Sequence, residues 1–160
     1  MISTSPSSPL KLPAEFSSAD STIPLRIRDA RLRKHADYQR VYQSSRKQLS
    51  ASMTWFLSTR TETLESNAPK QRGVVNIAGP RVGLTAGKVL GKAHERNRIK
   101  RRMREAVRHH VHELPDGVDL ILHPRRSVMT MDFVKLDAEV LRIFRQAAAQ
   151  IRETKARHNS

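Results

Sequence analysis

The sequence predicts an α+β sandwich, in which helices lie against one small mixed sheet. Three observations carry this prediction. Apolar residues recur at helical spacing over 34–44, 93–108 and 131–153, while short runs of strand composition occupy 52–60, 74–87 and 118–124. Their interleaving gives the order α-β-β-β-α-β-α when 74–87 is counted as two strands, the pattern of helices packed on one sheet. We expect a single domain over 25–153, a Ser/Pro-rich disordered tail over 1–24 and a frayed basic tail over 154–160.

The tail, "MISTSPSSPLKLPAEFSSADSTIP", has too little apolar content to offset its ordering entropy. Tyr38, Val41 and Tyr42 stand at i, i+3, i+4 and predict the first helix. "SMTWFLSTR" (52–60) has the aromatic and β-branched content of a strand, and the polar 61–73 stretch with its Pro and Gly is a loop. Gly79-Pro80 marks a turn within "VVNIAGPRVGLTAG" (74–87). In the next segment, Ile99, Met103, Ala106, Val107 and His110 share one helical face, with Asn97, Arg101, Arg104 and Arg108 opposite. That helix stops before Pro115, where "PDG" makes a turn. "VDLILHP" (118–124) is a buried strand, and the last helix runs over 131–153 with Asp132 as its N-cap.

Charge narrows the function. The 160-residue chain carries a formal net charge of +15 and only 38% hydrophobic residues. Such an excess draws a protein to polyanions, nucleic acid first and an anionic membrane surface second. No run approaches the roughly 18 apolar residues of a spanning helix. The N-terminus has no secretory pattern and there is no cysteine, so disulfides and thiolate metal sites are excluded and the cytoplasm is the expected compartment. The apolar face of the basic helix lacks Trp and Leu, which disfavours membrane docking.

The positive charge is concentrated. Seven of the thirteen residues 96–108 are Arg or Lys, and like charges stand one turn apart at 96, 100, 104 and 108. Like charges at that spacing repel, so an external anion is the expected counterpart. The carboxylates are too scattered for a two-metal nuclease. His109 and His112, at i, i+3, could share a metal, but histidines near a helix end more often cap carbonyls or touch phosphate. Gly87-Lys88 and Gly91-Lys92 fail the phosphate-loop pattern, since neither lysine precedes Ser or Thr. Pro115 removes the dimerisation heptads that a basic-zipper DNA reader requires. RNA recognition often adds aromatic stacking to phosphate contacts, and Tyr38 and Tyr42 are a stacking platform or, equally, core residues.

"RVGLT" (81–85), the lysine at 88 and "AHERNRIKRRMREAVR" (93–108) together resemble the signature of the protein subunit of bacterial ribonuclease P. "RLRKHADYQRVY" (31–42) resembles that family's first helix, and the likeness spans about 26–152. It implies an α–β sandwich with a left-handed βαβ crossover, against the usual right-handed preference. It implies an endoribonuclease whose catalytic centre and Mg²⁺ belong to an RNA subunit, the protein being a monomer in a one-to-one ribonucleoprotein. By that resemblance Arg96, Asn97, Arg98, Lys100, Arg101, Arg104 and Arg108 bind the RNA subunit. Tyr38, Tyr42, Trp55 and Lys88 hold the 5′ leader of precursor tRNA; Trp55 and Phe56 point one to the cleft and one to the core. Two departures stand out: Arg102 lies where the family is usually apolar, and Val89 follows Lys88 where a second lysine is common. A ribosome-associated RNA-binding protein without a processing role is the competing reading.

Overall fold

A computed structural model describes residues 30–60 and 79–160. The expected tail 1–24, the loop 61–73 and any strand within 74–78 lie outside the described residues. The elements are α1 (His35–Ser44), β1 (Gln48–Leu49), β2 (Met53–Thr59), β3 (Arg81–Leu84), α2 (Ala93–His110), β4 (Val118–Pro124) and α3 (Phe133–His158), with 3-10 turns at Lys88–Leu90, Val111–Glu113 and Arg126–Met129. The α+β class and the interleaved order agree with the sequence. Among the described residues the segment 79–87 contributes the one strand β3, and the short β1 is a strand that the sequence reading did not include.

The four strands form one mixed sheet in the order β1-β2-β4-β3. β2 pairs antiparallel with β4, Trp55 opposite Leu122 and Phe56 opposite Ile121. β3 pairs parallel with β4, Gly83 opposite Ile121, so α2 forms a β3–α2–β4 crossover. Successive strand residues face opposite sides, and that alternation builds two unequal cores. Met53, Trp55, Val82, Leu120 and Leu122 join Ile99, Met103, Ala106 and Val107 of α2 and Leu136, Val140, Ile143, Phe144 and Ala147 of α3 in the larger one. On the other side Ile121 packs with Leu32 and Val41, flanked by Tyr38 and Phe56.

α2 begins at a tight turn. Gly91 has φ of +108°, and a Cβ there would lie 2.0 Å from Oε2 of Glu95. The close approach lets the Lys92 backbone N–H donate to Glu95 Oε2 at 2.6 Å, half of a capping box. Asp132 does precede α3, but its side chain makes no hydrogen bond to the first turn. α3 also continues past 153 to His158, so the expected frayed tail is helical. Its register is held instead by Glu139, whose carboxylate accepts from the Ser50 hydroxyl (2.6 Å) and the Ser52 backbone N–H (2.8 Å). Burial would raise the carboxyl pKa of Glu139, but these donors outweigh it and hold the group below the ordinary value.

Candidate nucleic-acid interface

The sheet separates two surfaces. On one side α2 buries Ile99, Met103, Ala106 and Val107, as the spacing required, and exposes Asn97, Arg98, Arg101, Arg104 and Arg108. Arg96 and Lys100 flank the strip and are half-buried. Among the described residues, only Arg108 of this set has an ion pair, with Glu105. The other cations of the strip face solvent without a carboxylate, so their mutual repulsion is unrelieved within the described fold.

Lys100, Arg104 and Arg108 also form one wall of a groove of about 310 Å³. Val82, Leu84, Val107 and Val111 line it, and Arg31 and Arg33 stand on the far side. The groove exists because β3 is the edge strand and its free edge is met by the chain at Ala30–Leu32. The Leu32 N–H donates to the Val82 carbonyl (3.1 Å) and the Val82 N–H to the Ala30 carbonyl (2.7 Å). An apolar floor under aliphatic arginine and lysine stems, with the charged heads at the rim, suits a ligand with a flat apolar part and an anionic edge.

Arg102 does not belong to the strip. It donates to the Val128 carbonyl at 2.9 Å and to that of Met131. Half-buried Arg102 thus satisfies two carbonyls ahead of α3.

The opposite side of the sheet is aromatic. Tyr42 and Phe56 meet edge-to-face with centroids 5.0 Å apart, and His123 lies 5.5 Å from Phe56. Tyr42 Oη is 2.8 Å from His123 Nε2, and Tyr38 lies 6.5 Å from Tyr42. The two tyrosines differ in availability. Tyr42 is 36% exposed, while Tyr38 is half-buried, donates to the Leu32 carbonyl at 3.3 Å and lies over Gly83. A Cβ on Gly83 would stand 2.8 Å from the Tyr38 hydroxyl, so the absent side chain makes room for the ring. Burial pushes the Tyr38 phenol pKa upward. Tyr38 also lines the groove and thereby joins the two surfaces.

One expected leader residue changes. Trp55 is 0% exposed in the large core, so it touches no RNA in this fold; Phe56, one residue on, faces the aromatic surface. The physical reason is register: β2 alternation places Met53 and Trp55 under α3, and the larger ring fills the larger core. Lys88 is exposed on a 3-10 turn that packs against α2 and the Arg126–Met129 turn, so its side chain is accessible.

Sequence reasoning also missed His123 and a charged clamp beside the aromatic face. Burial and the nearby Lys47 push the His123 pKa below the ordinary value. A lowered histidine binds fewer protons folded than unfolded, so its contribution destabilises the fold as pH falls through about 6.5. The expected result is an NMR titration of the His123 ring with a midpoint below about 6.5; a midpoint above it would contradict the desolvation of the half-buried ring.

The clamp centres on Asp119, 1% exposed on β4. Arg81 chelates it with Nε–Oδ1 2.8 Å and Nη2–Oδ2 2.6 Å. Arg40 reaches Oδ2 at 3.1 Å and Arg60 Oδ1 at 3.3 Å. Asp37 accepts from Arg40 (3.0 Å) and Arg81 (3.2 Å), tying α1 to the sheet. The hydrogen bonds to Asp119 raise the Arg81 pKa, whereas burial lowers that of Arg60.

An unneutralised guanidinium strip on one side of a small sheet and an aromatic surface on the other define a polyanion-binding α+β protein suited to RNA. The sequence pattern of the family described as "Ribonuclease P" matches residues 27–148. The chain belongs to the ribonuclease P protein family, and its role is that of the protein component of this ribonucleoprotein endoribonuclease. The ribonuclease P protein component of Chloroflexus aggregans is 38% identical over 118 residues, covering 73% of this chain and 76% of the relative. That of Finegoldia magna is 36% identical over 70 residues, 44% of this chain and 62% of the relative. The solved ribonuclease P protein of Thermotoga maritima shares the fold with a TM-score of 0.57 at 20% identity, covering 72% of this chain and 96% of the other. Among the described residues no helix is long and apolar enough to cross a membrane.

Proposed function

We propose that this chain binds the catalytic RNA subunit of ribonuclease P through the exposed face of α2 and the adjoining groove, and holds the 5′ leader of precursor tRNA along the α1–sheet surface. One observation carries the reading: a strip of cations on α2, all but Arg108 without a carboxylate partner among the described residues, lies on one side of the sheet and an accessible aromatic surface on the other. Phosphates of a folded RNA match the first, and the bases of a single strand match the second. Arg96, Asn97, Arg98, Lys100, Arg101, Arg104 and Arg108 are the RNA-subunit residues. Tyr42, Phe56 and His123 face the leader, with Tyr38 beneath them as support.

Hydrolysis in this reading uses Mg²⁺ held by the RNA. Mg²⁺ takes oxygen ligands, and the carboxylates of Asp37 and Asp119 are already shared among Arg40, Arg60 and Arg81. The protein supplies affinity and position, as one monomer per RNA in the cytoplasm.

Reconstitution with the cognate RNA subunit and a labelled precursor tRNA tests the reading. The chain is expected to stimulate leader removal at low Mg²⁺, and an absence of stimulation would favour a ribosome-associated RNA-binding role. Tyr42→Ala is expected to weaken binding of leader-bearing precursor by about 1–3 kcal/mol, the worth of one stacked base, and to leave mature tRNA binding unchanged. Equal losses on both RNAs would remove the leader from this surface.

A further inference from the structure

The end of the basic helix carries a cluster of side chains that lies outside the arginine strip. His109 and His110, in the last turn of α2, both point at Asp137 on α3. Nδ1 of His109 lies 2.9 Å from Oδ1 and Nε2 of His110 lies 2.8 Å from Oδ2. One ligand atom from each residue lies within 4.8 Å of the others. The second nitrogen of His109, Nε2, is 3.3 Å from Glu105 Oε1, and Phe133 braces the ring edge-to-face at 5.9 Å. His109 therefore has a carboxylate oxygen at each ring nitrogen. A neutral imidazole has one N–H, so it can donate to only one of them. If that proton goes to Glu105, the Nδ1 lone pair faces the Asp137 carboxylate, and a cation is required between them.

We infer that His109, His110 and Asp137 form a binding site for a divalent transition-metal ion of the zinc type, with Glu105 orienting His109 from outside the coordination shell. Two imidazoles and a carboxylate, with a fourth position open to water, are a donor set zinc accepts. Tetrahedral ligands at zinc distances stand about 3.4 Å apart, so the His–Asp contacts open by about half an ångström to admit the ion. The Glu105–His109 contact is the outer-shell carboxylate that selects the tautomer with Nδ1 free to ligate. The sequence pairing of His109 with His112 is replaced by His109 with His110, because His112 lies in the following 3-10 turn and is exposed. The bound ion links the last turn of α2 to α3 and so braces the helix that bears the arginine strip. The site needs no RNA, and its test is independent of the RNA-binding reading.

The probe is Zn²⁺ titrated calorimetrically into the full chain without a polyhistidine tag, with Co²⁺ as a spectroscopic substitute. We expect one saturable equivalent, visible absorption bands of tetrahedral Co²⁺, and a thermal midpoint that rises with Zn²⁺ but not with Mg²⁺. His110→Ala and Asp137→Asn should each abolish the binding and the Co²⁺ bands, and Glu105→Gln should weaken it about tenfold. All three positions are solvent-accessible, and unchanged circular dichroism of the metal-free variants confirms folding. Absence of saturable Zn²⁺ binding, with His109 carrying a proton on both nitrogens by NMR, would overturn the site in favour of an imidazolium–carboxylate pair. Binding unchanged in His110→Ala and Asp137→Asn would overturn it by placing the ion on other histidines.

Discussion

Asp119→Asn is expected to destabilise the fold by about 3 kcal/mol, the lower end of the cost of breaking a buried ion pair. The amide keeps the shape of the carboxylate but removes the charge that holds Arg40, Arg60 and Arg81 together. Arg81 and Arg60 are only 20% and 22% exposed, so water replaces little of what they lose. Arg40 is 53% exposed and recovers much of its solvation, which keeps the figure from the upper end of the range. The measurement is equilibrium urea unfolding, where the midpoint should fall by about 1–2 M. Asp116→Asn, on the exposed turn before β4, provides the control and should change stability by less than about 0.5 kcal/mol. A midpoint unchanged by Asp119→Asn would show that contacts other than the clamp, such as Val41 on Ile121 and Tyr42 on His123, hold α1 to the sheet.

Replacing Arg98, Arg101 and Arg104 together by Ala is expected to lower affinity for the RNA subunit about a hundredfold near physiological salt, and to reduce the slope of log K against log salt by about 2–3. The three side chains are exposed and have no carboxylate partner among the described residues, so folding should be almost unaffected. Relief of the one-turn repulsion should even favour the isolated helix slightly. Filter binding of the RNA across a salt series, beside thermal unfolding of the protein alone, separates the two effects. An unchanged slope would mean that the phosphates lie elsewhere and that the strip is only a solvated face.

Both predictions rest on residues that the sequence revealed unequally. The arginine strip is a local property. Residues 93–110 are helical in any packing that buries Ile99, Met103 and Val107, and a 3.6-residue period then places Arg101, Arg104 and Arg108 outside. The Asp119 clamp is not local: its arginines come from α1, from the end of β2 and from β3, 79, 59 and 38 residues away. No spacing pattern links such positions, so Asp119 passed for one of several scattered acids. The same distinction explains the aromatic surface. Tyr38 and Tyr42 are one turn apart and predictable as neighbours, whereas His123 joins them only because β4 lies beside β2 under α1. Trp55 and Phe56 show the limit most sharply. Alternation makes them face opposite sides, but which side holds the larger core depends on where α3 packs.

The sequence by itself determined the α+β class, the order of the helices and the longer strands, the inward and outward faces of α2 and the polyanion partner, because each follows from period, turn chemistry or charge along the chain. Tertiary structure alone decided three further features. Arg102 turned to the carbonyls before α3, Phe56 replaced Trp55 at the aromatic face, and His109 and His110 met Asp137 across two helices. Each depends on contacts between segments far apart in the chain, where packing volume and hydrogen-bond satisfaction, rather than local preference, select the arrangement.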